Sequence, residues 1–137
     1  MRIMGIDYGE ARTGLAFSDL TMSLAGEAFT INSRNIEKTA DMAAEEAAKR
    51  QVSAVVLGYP RNMDGSAGER AQRAESFKAM LEERLPGVEI ILWDERLTSV
   101  NAHAILSAGG KKTKDHKKTV DAVAASLILQ AYLDSKR

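Results

Sequence analysis

Residues 2–19 read "RIMGIDYGEARTGLAFSD". Apolar runs at Ile3–Ile6 and Leu15–Phe17 flank a polar turn around Gly9 and Glu10, the pattern of two paired strands. The first run ends on an acid, Asp7. A carboxylate at the end of a buried strand needs hydrogen bonds, a counter-ion or a metal to offset its lost hydration. Taken alone, Asp7 in "DYGE" equally suits a turn, where Asp accepts backbone N–H groups. The rest of the chain has to decide between them.

Downstream, "GEAFTI" (26–31) reads as a third strand. Asn35 is positioned to cap a helix whose apolar positions are Ile36, Ala40, Ala43, Ala44 and Ala47. "SAVVLGYP" (53–60) is a β-branched run closed by Gly58 and Pro60. "SAGE" (66–69) has the spacing of a capping box, and Ala74, Phe77, Leu81 and Leu85 trace the buried stripe of the helix that follows, ended by Pro86-Gly87. "VEIILWDERL" (88–97) is a further strand, and "SVNAHAILSAGG" (99–110) a short helix stopped by its glycines. The final helix carries an apolar stripe at Val120, Val123, Ala124, Leu127, Ile128 and Ala131. Three strands in a meander, then strands alternating with helices, predict an α/β fold. Its mixed five-stranded sheet would combine an antiparallel three-stranded meander with two parallel strands, flanked by helices. That layout is compatible with a ribonuclease H-like fold. With 137 residues and no linker or repeat, a single domain over 1–137 is expected.

Composition narrows the chemistry. The chain has no cysteine, which excludes thiol catalysis, disulfides and thiolate metal sites. Nineteen basic and nineteen acidic residues cancel, so an argument for a polyanionic partner must rest on local clusters. There is no signal-peptide pattern and no apolar run near the ~20 residues needed to span a bilayer. A cytoplasmic protein without membrane contact is expected.

Three acids stand where apolar patterns stop: Asp7 after the first strand, the Asp94-Glu95 pair after the last, and Asp121 at the start of the last helix. Each has an ordinary explanation alone, Asp121 as a first-turn acid favouring the helix dipole, Asp94-Glu95-Arg96 as a solvated charge cluster. Their conjunction points instead to oxygen ligands for Mg²⁺ or Mn²⁺, one or two ions, as in phosphodiester hydrolysis. Strand alternation puts Asp94 and Glu95 on opposite faces, so only one readily joins Asp7. Ile90 and Leu92 share one face, Ile91 and Trp93 the other, and periodicity does not choose between them.

Basic groups surround these positions. "KKTKDHKK" (111–118) holds Lys111, Lys112, Lys114, Lys117 and Lys118 in what reads as a loop leading to Asp121, suited to a phosphate backbone. Arg12, Arg61 and Arg96 occupy loops at strand ends and are candidate phosphate contacts. His103 reads as structural, His116 as solvated, and Trp93 as a core residue. With aromatics at 5%, no stacking platform for single strands is expected.

"GIDYGEARTGLAFSD" (5–19), "LGYPRNMDGS" (57–66), "DERLTSVNA" (94–102) and "KKTVDAVAASLILQAYL" (117–133) together resemble the YqgF (RuvX-like) family. That family comprises Holliday-junction resolvase-like proteins and nucleases of the 5′ end of pre-16S ribosomal RNA. The resemblance covers nearly the whole chain. It implies a ribonuclease H-like fold and a metal-dependent phosphodiesterase site with Asp7, Glu95 and Asp121 as catalytic and metal-binding acids, so it selects Glu95 over Asp94. One departure stands out: related resolvases tend to carry a second acid one turn further along the last helix, where this chain has Ala124.

A divalent-metal nuclease acting in pre-16S rRNA processing is therefore the leading expectation, with nucleic acid and pre-ribosomal particles as partners. Structured RNA stands ahead of branched DNA, because junction resolution calls for a dimer and no dimerisation element is visible; a monomer or weak dimer is expected. A Holliday-junction resolvase and a non-catalytic ribosome-assembly module are the alternatives. An ATPase or kinase is disfavoured, although "GIDYGEARTG" resembles the phosphate-binding hairpin of such proteins, since they need two such domains.

Overall fold

The structure is a computed structural model that describes residues 2–19, 25–60, 68–94 and 113–136, with the backbone alone for 113–119. Strands β1 (Arg2–Asp7), β2 (Arg12–Ser18) and β3 (Ala25–Asn32) form the expected antiparallel meander. Strand β4 (Val52–Tyr59) pairs parallel to β1, and β5 (Glu89–Asp94) parallel to β4. The five-stranded sheet runs β3-β2-β1-β4-β5, which puts β1 at its centre. Helices α1 (Ile36–Lys49) and α2 (Glu69–Arg84) join the parallel strands, and α3 (Thr113–Ser135) is the last element.

Side-chain alternation divides the core into two layers. Met4, Ile6, Leu15, Phe17, Val55 and Leu57 meet the alanine face of α1 and Phe77 and Leu81 of α2. On the opposite face Ile3, Ala16 and Val56 meet Ala125, Ile128, Leu129 and Leu133 of α3. The alanines of α1 form its buried face, and Asn35 caps it by accepting the Lys38 N–H at 2.9 Å.

Four expectations are corrected. Helix α3 starts at Thr113, so Lys114, Lys117 and Lys118 belong to its backbone and not to a loop; their side chains, with Lys111, Lys112 and His116, lie outside the described residues. Asp121 therefore sits in the third turn of α3, beyond the reach of a first-turn dipole effect. The buried stripe of α3 is Ala122, Ala125, Ile128, Leu129 and Leu133, with Val120 exposed. Because α3 is apolar on most sides between Val120 and Leu133, periodicity left its rotation undetermined. Finally, α2 is capped by Gly68 without a side-chain hydrogen bond, so "SAGE" forms no capping box with Glu69 as its third residue; Ser66 lies outside the described residues, as does the short helix expected near 99–110.

Candidate functional site

The site starts from two glycines. Gly14 in β2 pairs with Asp7 across the β1–β2 ladder, and a Cβ at Gly14 would overlap the carbonyl oxygen of Asp121. Gly5, on the same face of β1, leaves similar room for Ala125 and Leu129. The two gaps let α3 descend onto the sheet and fix its rotation. Asp7 shares the face of Ile3 and Gly5 by alternation, and the backbone of Asp121 rests on the residue opposite Asp7. The backbones of two of the sequence-predicted acids thus come together at the C-terminal end of the central strand.

Asp121 is partly buried, its side chain 22% exposed. Its Oδ2 is shut off from solvent and has no hydrogen-bond partner among the described residues. The Arg12 Nε lies 3.3 Å away, at ion-pair distance but without the geometry of a hydrogen bond. A shielded carboxylate oxygen without a directed hydrogen bond has the donor chemistry that a hard divalent cation takes. Among the described residues no three acids or histidines come together, Glu95 being outside them. Asp94 is inside them and on the other face: it pairs with Tyr59, whose neighbours are Ala71 and Ala74 of α2, whereas Trp93 packs toward α3.

The β1–β2 turn is braced from within. The Gly9 N–H donates to Thr13 Oγ1 and the Thr13 hydroxyl donates to the Gly9 carbonyl, both at 3.3 Å. A Cβ at Gly9 would overlap the Arg12 carbonyl oxygen. The room that glycine leaves is taken up by the chain's own backbone, which holds Arg12 at the head of β2. Arg61, Arg96 and His103 lie outside the described residues. Trp93 stacks edge-on against Tyr132 of α3 at 5.9 Å, in keeping with a core role.

On the α2 side of the same turn lies a feature the sequence did not signal. Tyr8 stacks on Phe77 at 4.7 Å, and a cavity of about 260 Å³ is lined by Tyr8, Gly9, Pro60, Arg70 and Arg73. Burial raises the Tyr8 hydroxyl pKa above its ordinary value, and Arg73 partly opposes this. Arg73 also pairs with Glu10 and Glu69. Nothing in the α2 pattern links it to the turn, so only the fold could reveal this cluster.

A family model described as RuvX, Holliday junction resolvase, matches residues 1–135. The chain belongs to the RuvX family. A relative from Acetivibrio thermocellus, named "Putative pre-16S rRNA nuclease", is 41% identical over 137 residues, covering 99% of this chain and 97% of that protein. Among solved structures, Thermus thermophilus RuvC in complex with Holliday junction substrate matches with a TM-score of 0.57 at 15% identity, over 97% of this chain and 96% of that one. The RuvX-family chain therefore has the ribonuclease H-like fold expected from its sequence. A hexokinase of the ROK family from Thermus thermophilus also matches, with a TM-score of 0.50 and 20% identity over 77% of this chain but only 39% of that one. The kinase likeness covers one part of a larger enzyme, as the single phosphate-hairpin-like stretch implied.

Proposed function

We propose that this RuvX-family protein, as a single domain over 1–137, is a divalent-metal-dependent nuclease that hydrolyses phosphodiester bonds in the 5′ processing of pre-16S rRNA. The observation that carries the reading is the unsatisfied Oδ2 of Asp121 on the helix that rests opposite Asp7. The names of the full-length relatives support the RNA substrate.

Asp7 and Asp121 supply two of the acids, and the position of Trp93 on the α3 face of β5 supports Glu95, one residue beyond Asp94, as the third. One or two Mg²⁺ or Mn²⁺ ions held by Asp7, Glu95 and Asp121 would polarise the phosphoryl oxygen and lower the pKa of the attacking water. The protein's own task is placement: Asp7 ends the central strand, and Gly14 locks Asp121 to it. Arg12, with Arg61, Arg96 and the lysines Lys111, Lys112, Lys114, Lys117 and Lys118, serves to hold the phosphate backbone. No helix among the described residues is long and apolar enough to cross a membrane. The proposed setting is cytoplasmic, on pre-ribosomal particles, as a monomer or weak dimer.

Purified protein with Mg²⁺ or Mn²⁺ is expected to cut structured RNA carrying the 16S 5′ junction, and Asp7→Asn to abolish cutting while circular dichroism stays unchanged. Equal cleavage by wild type and Asp7→Asn would identify a contaminant and sink the assignment. The likeness to RuvC with its junction substrate favours a second reading, a Holliday-junction resolvase. Faster cleavage of a four-way DNA junction than of the RNA, by a dimer, would select it.

A further inference from the structure

Arg12 touches Asp121 in an unusual way. The pair is close, with Nε 3.3 Å from Oδ2, yet Oδ2 is shielded from water and receives no directed hydrogen bond from the described residues. The Arg12 side chain is 53% exposed, so one end of the contact is shielded and the other is free to leave.

The backbone under Arg12 is held on several sides while its side chain is half-exposed. Its carbonyl fills the space left by Gly9, and two residues further on Gly14 abuts the Asp121 backbone. The preceding carbonyl, of Ala11, accepts the Ser33 N–H at 3.0 Å. Beside it opens a shallow surface hollow lined by Ala11, Arg12, Asn32, Ser33 and Arg34. A guanidinium released from Asp121 would move into that hollow and stand next to the exposed Arg34.

We propose that Arg12 is the resident counter-ion of the acidic site: it neutralises Asp121 when no divalent cation is bound, competes with that cation for Oδ2, and on displacement joins Arg34 as a contact for substrate phosphate. The inference rests on Asp121 as a metal ligand. Like charges cannot share one carboxylate oxygen at low cost, and linkage requires that Arg12 weaken cation binding by the factor by which the cation weakens the Arg12–Asp121 contact.

Calorimetric titration of Mn²⁺ into the full chain tests this. Arg12→Gln is expected to bind Mn²⁺ tighter by about three- to tenfold, the effect of removing one partly screened charge. Arg12→Lys, which keeps the charge, stays near wild type, and Asp121→Asn loses binding at this site. Arg12→Ala repeats the measurement with a second neutral side chain should Arg12→Gln fail to fold. With a phosphorothioate-substituted RNA hairpin, salt dependence adds a second readout. In Mn²⁺ the wild-type slope of log affinity against log salt exceeds that of Arg12→Gln by about 0.7–0.9, one phosphate contact, and without Mn²⁺ the slopes agree. Equal or weaker Mn²⁺ affinity in both neutral variants overturns the inference and leaves the nuclease reading standing. Absence of Mn²⁺ binding in wild type overturns both.

Discussion

Gly14 is the residue on which the acidic corner depends. It is buried in the middle of a strand, where glycine ordinarily weakens pairing, and it is there because α3 needs the volume a side chain would take. Gly14→Ala would drive its methyl group into the Asp121 carbonyl. Helix α3 must then lift or the strand must bend, at an overpacking cost of about 1–3 kcal/mol, seen as a lower urea midpoint at unchanged m-value. Because lifting α3 moves Asp121 away from Asp7, metal affinity is expected to fall as well, which a cavity-type mutation elsewhere in the core would not cause. Asp7 was legible in the sequence, since a carboxylate ending an apolar run stands out. The neighbourhood of Asp121 was not, because its helix starts two turns earlier than the lysine run implied and its rotation is set by glycines more than a hundred residues away.

At the scale of elements, the edge of the sheet shows how a polar residue can be part of the packing. Arg50, at the C-terminus of α1, lies over the Phe17 ring at 4.2 Å and binds Glu27 of β3 at 2.9 Å and Glu46 at 2.7 Å. It ties helix α1 to the outer strands of the meander. Arg50→Met keeps the apolar stem but removes the charge, and is expected to cost about 1–2 kcal/mol at pH 7 by urea denaturation, mainly the cation–π contact with a smaller ion-pair share. The hydrogen bond from Arg50 holds the Glu27 carboxyl below its ordinary 4.5. A depressed acid contributes stability above its unfolded value and loses it as pH falls through the folded one. The gap between wild type and Arg50→Met should therefore narrow in acid below about pH 4.5 and keep its cation–π part. Such cross-element ties have no sequence period, whereas strands and helices do. Alternation and alanine spacing made β1, β2, β4, α1 and α2 legible to within a residue or two. The face of α3 was not, because its stretch from Val120 to Leu133 is apolar on most sides and carries little phase of its own.

For the whole molecule, the strand order β3-β2-β1-β4-β5 places Asp7 at the end of the one strand flanked by both an antiparallel and a parallel neighbour, with α3 closing over it. A site assembled from the central strand and the last helix ties distant parts of the chain together only in the folded state. In the metal-free fold Arg12 is the counter-ion of Asp121, and a bound divalent cation would supply more positive charge to the same corner. Metal binding to the native state alone adds stability of about 2.7 kcal/mol at a hundredfold excess over Kd, which for a domain of this size corresponds to a Tm rise of roughly 8–11 °C. Thermal unfolding monitored by circular dichroism is expected to show that rise in wild type with Mn²⁺ and none in Asp7→Asn, and the metal-free variant is expected to unfold no earlier than metal-free wild type. A non-catalytic nucleic-acid-binding module would give a flat response in both proteins. A rise of equal size in both would move the metal away from Asp7, and with it the proposed centre of the chemistry.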